Sequence, residues 1–197
     1  MLCRFAEKTG CDYSDWRCAD DSRLVLGRDE TPAPQQILNM GKTIIFMRHG
    51  KATDAVDAYN DFERPLVARG RQEAEQTADL LKKNNLIPEM MLCSPATRTA
   101  GTAQIAARIF DYPAEHIVYH APLYMGRAHE YMDAINNLKA GCILVVGHNP
   151  EMQALAFHFG KVGKAGFPTS SAVALQFEDE VISAQSKAVV LGDWLRR

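Results

Sequence analysis

Ile44-Ile45-Phe46-Met47, Met90-Met91-Leu92-Cys93 and Cys142-Ile143-Leu144-Val145-Val146 are apolar at every position. Such runs are short for a helix, and they lack the polar alternation of a strand with one wet face. They read as strands buried on both faces, which requires helices above and below the sheet. The intervals supply those helices. Ala74, Thr77, Ala78 and Leu81 recur at three- and four-residue steps and predict a helix over about 70–83. Ser94-Pro95 and Asn149-Pro150 each place a capping residue before a proline and predict two further helix starts. A fourth helix is expected over 127–138, a short strand over 116–119, and a closing antiparallel hairpin from 171–177 and 181–190. The fold class that follows is α/β: a three-layer sandwich with a mostly parallel central sheet and helices on both faces.

The first forty residues differ from the rest. Arg4, Lys8, Arg17, Arg23 and Arg28 interleave with acids, no apolar period persists, and the stretch closes on Thr31-Pro32-Ala33-Pro34. Residues 1–40 are therefore expected to be a disordered N-terminal extension, and 41–197 the folded domain. Met40 stands directly before the first strand as a candidate translation start. Cys3, Cys11 and Cys18 match no paired zinc-ligand spacing, and no metal or cofactor is expected. Five cysteines cannot all pair internally, and no segment has the length of a signal peptide or membrane span, so a cytoplasmic protein is expected. A net charge of −2 offers no field for nucleic acid or an anionic membrane. Any anion must be held by a few local groups.

Three motifs supply such groups, each at the carboxyl end of an expected strand: Arg48-His49-Gly50, Ser94-Pro95-Ala96-Thr97-Arg98 and Gly147-His148-Asn149-Pro150. Ligands of open α/β sheets bind at these ends, and helix N-termini there favour anions. Singly, each residue has a plain reading as a cap or surface charge. Together, two arginines and two histidines converge on one volume, and guanidinium forks suit phosphate oxygens.

The string Phe46-Met47-Arg48-His49-Gly50-Lys51-Ala52 resembles the start of the histidine phosphatase superfamily, which includes phosphoglycerate mutase-like enzymes. Asp61-Phe62-Glu63-Arg64-Pro65-Leu66 with Gly70, Ser94-Pro95 with Arg98 and Thr102-Ala103, and Val146-Gly147-His148-Asn149-Pro150 follow in the family's order. The resemblance spans about residues 42–190 and is greatest to the small SixA-like phosphohistidine phosphatases. It implies that His49 is the nucleophile, phosphorylated and then hydrolysed, while Arg48, Arg98 and a cationic His148 hold the phosphoryl oxygens. Gly50, Arg64 and Asn149 join the implied substrate-binding set. The family's acidic proton donor has no clear counterpart. Glu130 is the near candidate, although with Asp133 it also fits a solvated helix face. A missing acid suits phosphohistidine, whose imidazole leaves with less protonation than an alkoxide.

Other phosphate chemistries fit less well. A cysteine phosphatase needs five residues between cysteine and arginine, and Cys93 and Arg98 enclose four. A P-loop needs glycine where Gln36 stands. His116 and His120 fall in an expected strand, where their spacing does not suit one metal. The expected partner is a phosphorylated protein or a small phosphorylated substrate. Two alternatives stay open: a small-molecule phosphomonoesterase or mutase-like enzyme, and an idle phosphate-binding module.

Overall fold

The structure is a computed structural model that describes residues 41–55 and 60–196. The expected extension over 1–40 and the start at Met40 lie outside the described residues. Six strands and four helices follow in the order β1 (Thr43–Arg48), α1 (Ala68–Lys83), β2 (Met90–Cys93), α2 (Thr97–Phe110), β3 (Val118–Tyr119), α3 (Ala128–Asn136), β4 (Cys142–Gly147), α4 (Glu151–Gly160), β5 (Ala172–Phe177) and β6 (Ala188–Trp194). They form one sheet of order β3-β2-β4-β1-β5-β6. β3, β2, β4 and β1 pair in parallel, while β5 runs antiparallel to both β1 and β6.

The apolar runs are buried on both faces, as their composition requires. Ile44, Phe46, Ile143 and Val145 point to one face and pack with Tyr131 and Ile135 of α3 and Met152 and Leu155 of α4. Ile45, Met47, Leu144 and Val146 point to the other, against Ala74, Ala78 and Leu81 of α1 and Ala103, Ala107 and Phe110 of α2. The small residues of α1 and α2 let both helices lie close to the sheet. Chain leaving β1 therefore turns to one face, and chain leaving its neighbour β4 turns to the other. A crevice opens where adjacent connections part in this way, and β1 and β4 end side by side there, with Arg48 opposite Gly147.

Four local expectations shift. Ser94 does not cap α2, which begins at Thr97 after Ala96, with no side-chain cap. Asn149 does not cap α4 either: its amide donates to the Phe167 carbonyl at 3.0 Å, and Glu151 opens the helix after a cis Asn149–Pro150 bond. Both side chains are drawn to tertiary partners. His116 belongs to a short 3-10 turn, which leaves only Val118–Tyr119 in β3. The last strand is displaced from 181–190 to Ala188–Trp194 because Ile182 is pinned elsewhere. The Asn136 amide accepts from the Ile182 N–H at 2.9 Å and donates to its carbonyl at 2.8 Å, which buries Ile182 beside α3.

Candidate active site

His49 leaves the end of β1 with its backbone N–H on the Gly147 carbonyl, so the two strand ends are tied together beneath the two histidines. Its Nδ1 lies 2.7 Å from the Gly50 carbonyl oxygen. A carbonyl only accepts, so Nδ1 carries the proton and Nε2 keeps its lone pair. The His148 ring stands 5.3 Å away, centroid to centroid. Burial pushes the His49 imidazole down to about 4; the Gly50 bond opposes this, and Arg98 and Arg48 add to it. Burial, then His49 and Arg98, push His148 down to about 3. The protein's own groups thus disfavour charge on both rings; the cationic His148 expected from the sequence was tied to a bound phosphate dianion, which is not among these groups.

Arg48, His49, Arg64, Arg98, His148 and Asn149 line one cavity of about 440 Å³, together with Lys51, Ala52, Asp54 and Thr169. A larger hollow of about 760 Å³ beside α1 and α2 has no histidine in its lining, so converging chemistry marks the site better than volume does. Within the smaller cavity Arg48 Nη1 donates to the Phe167 carbonyl at 2.9 Å. Arg48 Nε, His148 Nδ1 and Asn149 Oδ1 are buried without a partner among the described residues. Buried polar groups are rarely left so, and two of these three are on cation-compatible or donor groups suited to an anion.

Arg98 is the most enclosed cation of the cavity lining. Its side chain is 8% exposed, Nη2 meets the Asp61 carboxylate at 2.9 Å, and Nη1 donates to the Asp61 carbonyl. Asp61 also accepts from Arg64 at 2.8 Å and from the Tyr124 hydroxyl at 3.1 Å. The Arg64 contact, with Arg98 and Tyr124, holds its carboxyl down at about 2. The Tyr124 ring makes T-shaped contacts with both His148 and Phe62. Asp61, Tyr124 and Ser94 were not among the sequence candidates. The three-residue step from Asp61 to Arg64 was a signal for the first; Ser94 was present in a motif but read as a cap.

Two candidates fall elsewhere. Glu130 accepts from the Arg127 N–H and closes the first turn of α3; it does not line the cavity. Gly50 donates its N–H to Thr102 Oγ1 at 2.9 Å, so that amide serves the loop rather than a ligand. Its contribution is the carbonyl that orients His49. Among the described residues, no cluster of three or more His, Cys, Asp or Glu could hold a metal ion, and no helix is long and apolar enough to cross a membrane.

The profile of the "Histidine phosphatase superfamily (branch 1)" matches residues 44–118. The phosphohistidine phosphatase SixA of Escherichia coli is 30% identical over 140 residues, which cover 70% of this chain and 86% of SixA. An uncharacterized protein of Mycobacterium tuberculosis is 30% identical over 150 residues, covering 75% of this chain and 89% of that protein. The crystal structure of a putative SixA from Agrobacterium tumefaciens superposes with a TM-score of 0.68 at 29% identity, over 79% of this chain and 99% of that one. The profile covers Arg48, His49 and Arg98, and together with the relatives and the fold it places this enzyme in the histidine phosphatase superfamily.

Proposed function

We propose that the protein hydrolyses a phosphoryl group by way of a phosphohistidine on His49, and that its substrate is phosphohistidine or another phosphorylated protein. The observation that carries this reading is the 2.7 Å bond from His49 Nδ1 to the Gly50 carbonyl. It leaves Nε2 unprotonated in a pocket that also holds Arg48, Arg98 and His148. Nε2 forms a bond to phosphorus as the bond to the leaving group breaks, and that group takes the electron pair. Water then attacks phosphorus, returns the pair to Nε2, loses a proton, and leaves inorganic phosphate. The arginines offset the charge on the equatorial oxygens in both transfers.

Leaving-group chemistry favours an activated phosphate. Asp61 is held ionised at about 2 by its arginine partners, and Glu130 is engaged in α3, so neither is poised to protonate an alkoxide, and Asp54 is the one carboxylate of the cavity lining that could. An imidazole leaving group needs less help. That the Escherichia coli relative is named a phosphohistidine phosphatase agrees with this preference.

Brief mixing with a phosphohistidine peptide, quenched without acid, is expected to trap one phosphate per chain as an acid-labile, base-stable adduct. His49→Ala should lose both adduct and turnover, because a covalent nucleophile cannot be bypassed. Phosphoserine peptide and sugar phosphates should turn over more slowly than phosphohistidine peptide. Turnover by His49→Ala at a comparable rate, or adduct on Cys93 or a serine, would sink the nucleophile; a preference for sugar phosphates would sink the substrate class.

A further inference from the structure

We infer that Ser94 is a positioning residue that locks His148 in its Nδ1–H form, so that the neutral ring presents a hydrogen-bond donor inside the cavity. The functional meaning rests on the phosphoryl site proposed above; the tautomer itself does not.

Ser94 directly follows β2 and is fully buried. Its main chain is fixed on both sides. The N–H donates to the Val146 carbonyl at 3.2 Å, and its own carbonyl accepts from Thr99 Oγ1 at 2.8 Å. The hydroxyl is thereby aimed from the end of β2 toward the end of β4, where it lies 2.8 Å from His148 Nε2. Ser94 Oγ has no second hydrogen-bond partner among the described residues, so the direction of this bond can be reasoned out.

If His148 donated from Nε2, two buried groups would go unmet: the serine proton would have no acceptor, and Nδ1, which is buried without a partner, would be an acceptor with no donor. If Ser94 donates instead, Nε2 is satisfied, the serine proton is placed, and a single unmet N–H remains on Nδ1. Unpaired buried polar groups are costly, so the second arrangement wins. His148 lines the cavity with Arg48 and Arg98, and the remaining N–H supplies what a phosphoryl oxygen accepts.

The surroundings of His148 fit a neutral donor. His49 and the two arginines oppose a positive ring; Asp61 alone acts the other way. The Tyr124 ring stands in a T-shaped contact, 5.9 Å from His148 between centroids, and the Tyr131 hydroxyl accepts the His148 backbone N–H at 3.4 Å without touching the ring nitrogens. A hydrogen bond from Nδ1 therefore stabilises phosphoryl charge without first charging the imidazole. This resolves the tension between a low imidazole pKa and a phosphate-holding histidine, and it explains why the serine is not spent on capping α2.

Nitrogen-15 NMR of the full chain with labelled histidine tests the tautomer without any turnover. His148, assigned by its loss in His148→Asn, is expected at neutral pH to show a protonated Nδ1 and a lone-pair Nε2. Ser94→Ala should shift the ring toward protonated Nε2 and lower kcat/KM about tenfold, the rate equivalent of one hydrogen bond. Melting temperature should fall by a few degrees because His148 Nε2 loses its buried partner, and Ser94→Thr, which restores the hydroxyl, should recover the tautomer. A protonated Nε2 in the parent protein, or an unchanged tautomer in Ser94→Ala, overturns the inference. Failure to trap phosphate on His49 would overturn the catalytic proposal and leave the tautomer result standing.

Discussion

Arg98 and Asp61 illustrate how one residue pair is held ready. A guanidinium at 8% exposure needs an anion beside it, and Asp61 supplies both a carboxylate oxygen and a backbone carbonyl. Those two acceptors set the plane of the fork, and the proposed role of Arg98 depends on that plane more than on its charge. Arg98→Lys keeps the charge but loses the fork and one of the two Asp61 contacts. It is expected to lower kcat/KM by about 2–4 kcal/mol of transition-state stabilisation, the scale of removing a preorganised donor. Steady-state kinetics on an aryl phosphate would check this, and an unchanged kcat/KM would remove Arg98 from the reaction.

At the scale of elements, the start of α1 serves as a buttress for the loop that carries His49. Val67 donates its N–H to the Lys51 carbonyl at 3.0 Å, and Leu66 bridges Ala52. Gly70 then passes so close that an added Cβ would lie 2.1 Å from the Lys51 carbonyl oxygen and 2.6 Å from its nitrogen. Both are backbone atoms and cannot swing aside. Gly70→Ala must push α1 away from the loop or distort residues 49–51. An overpacked contact costs about 1–3 kcal/mol, so a fall in melting temperature of several degrees is expected. Activity at a temperature where the variant is still folded should fall as well, since the displaced residues include the proposed nucleophile. A stable variant with full activity would show that α1 does not set the loop.

Across the whole molecule the site leaves a mark on acid stability. His49 and His148 are held near 4 and 3, against 6.5 for a free imidazole. As pH falls below about 6.5 the unfolded chain takes up protons that the native chain refuses, so stability must decline with falling pH through that window. The decline eases only once the native rings protonate. Asp61, lowered from 3.8 to about 2, acts in the same direction further down, being ionised in the native chain while protonated in the unfolded one. Melting temperature should therefore drop from pH 7 to pH 5, and less steeply in His148→Asn. A flat profile, or a steeper one in the variant, would contradict the burial of these neutral rings.

The α/β class, the face-covering helices and the convergence of Arg48, His49, Arg98 and His148 were all legible along the chain, because each is a local pattern. An apolar run of four or five residues has nowhere to go but a doubly covered strand, and a motif that follows such a strand must emerge at the sheet's carboxyl edge. Partner choice is different in kind. Ser94 next to a proline has every local property of a cap, yet its hydroxyl goes to a histidine far along the chain. Asn149 turns to Phe167 for the same reason, and Glu130 reaches back to its own helix rather than into the cavity. The protonation of the two histidines depends likewise on burial and on charges brought together from β1, β4 and α2. Short-range patterning thus specifies where the chemistry gathers. Which polar atom meets which, and in what charge state, is decided only when distant strand ends are packed side by side and water is excluded from between them.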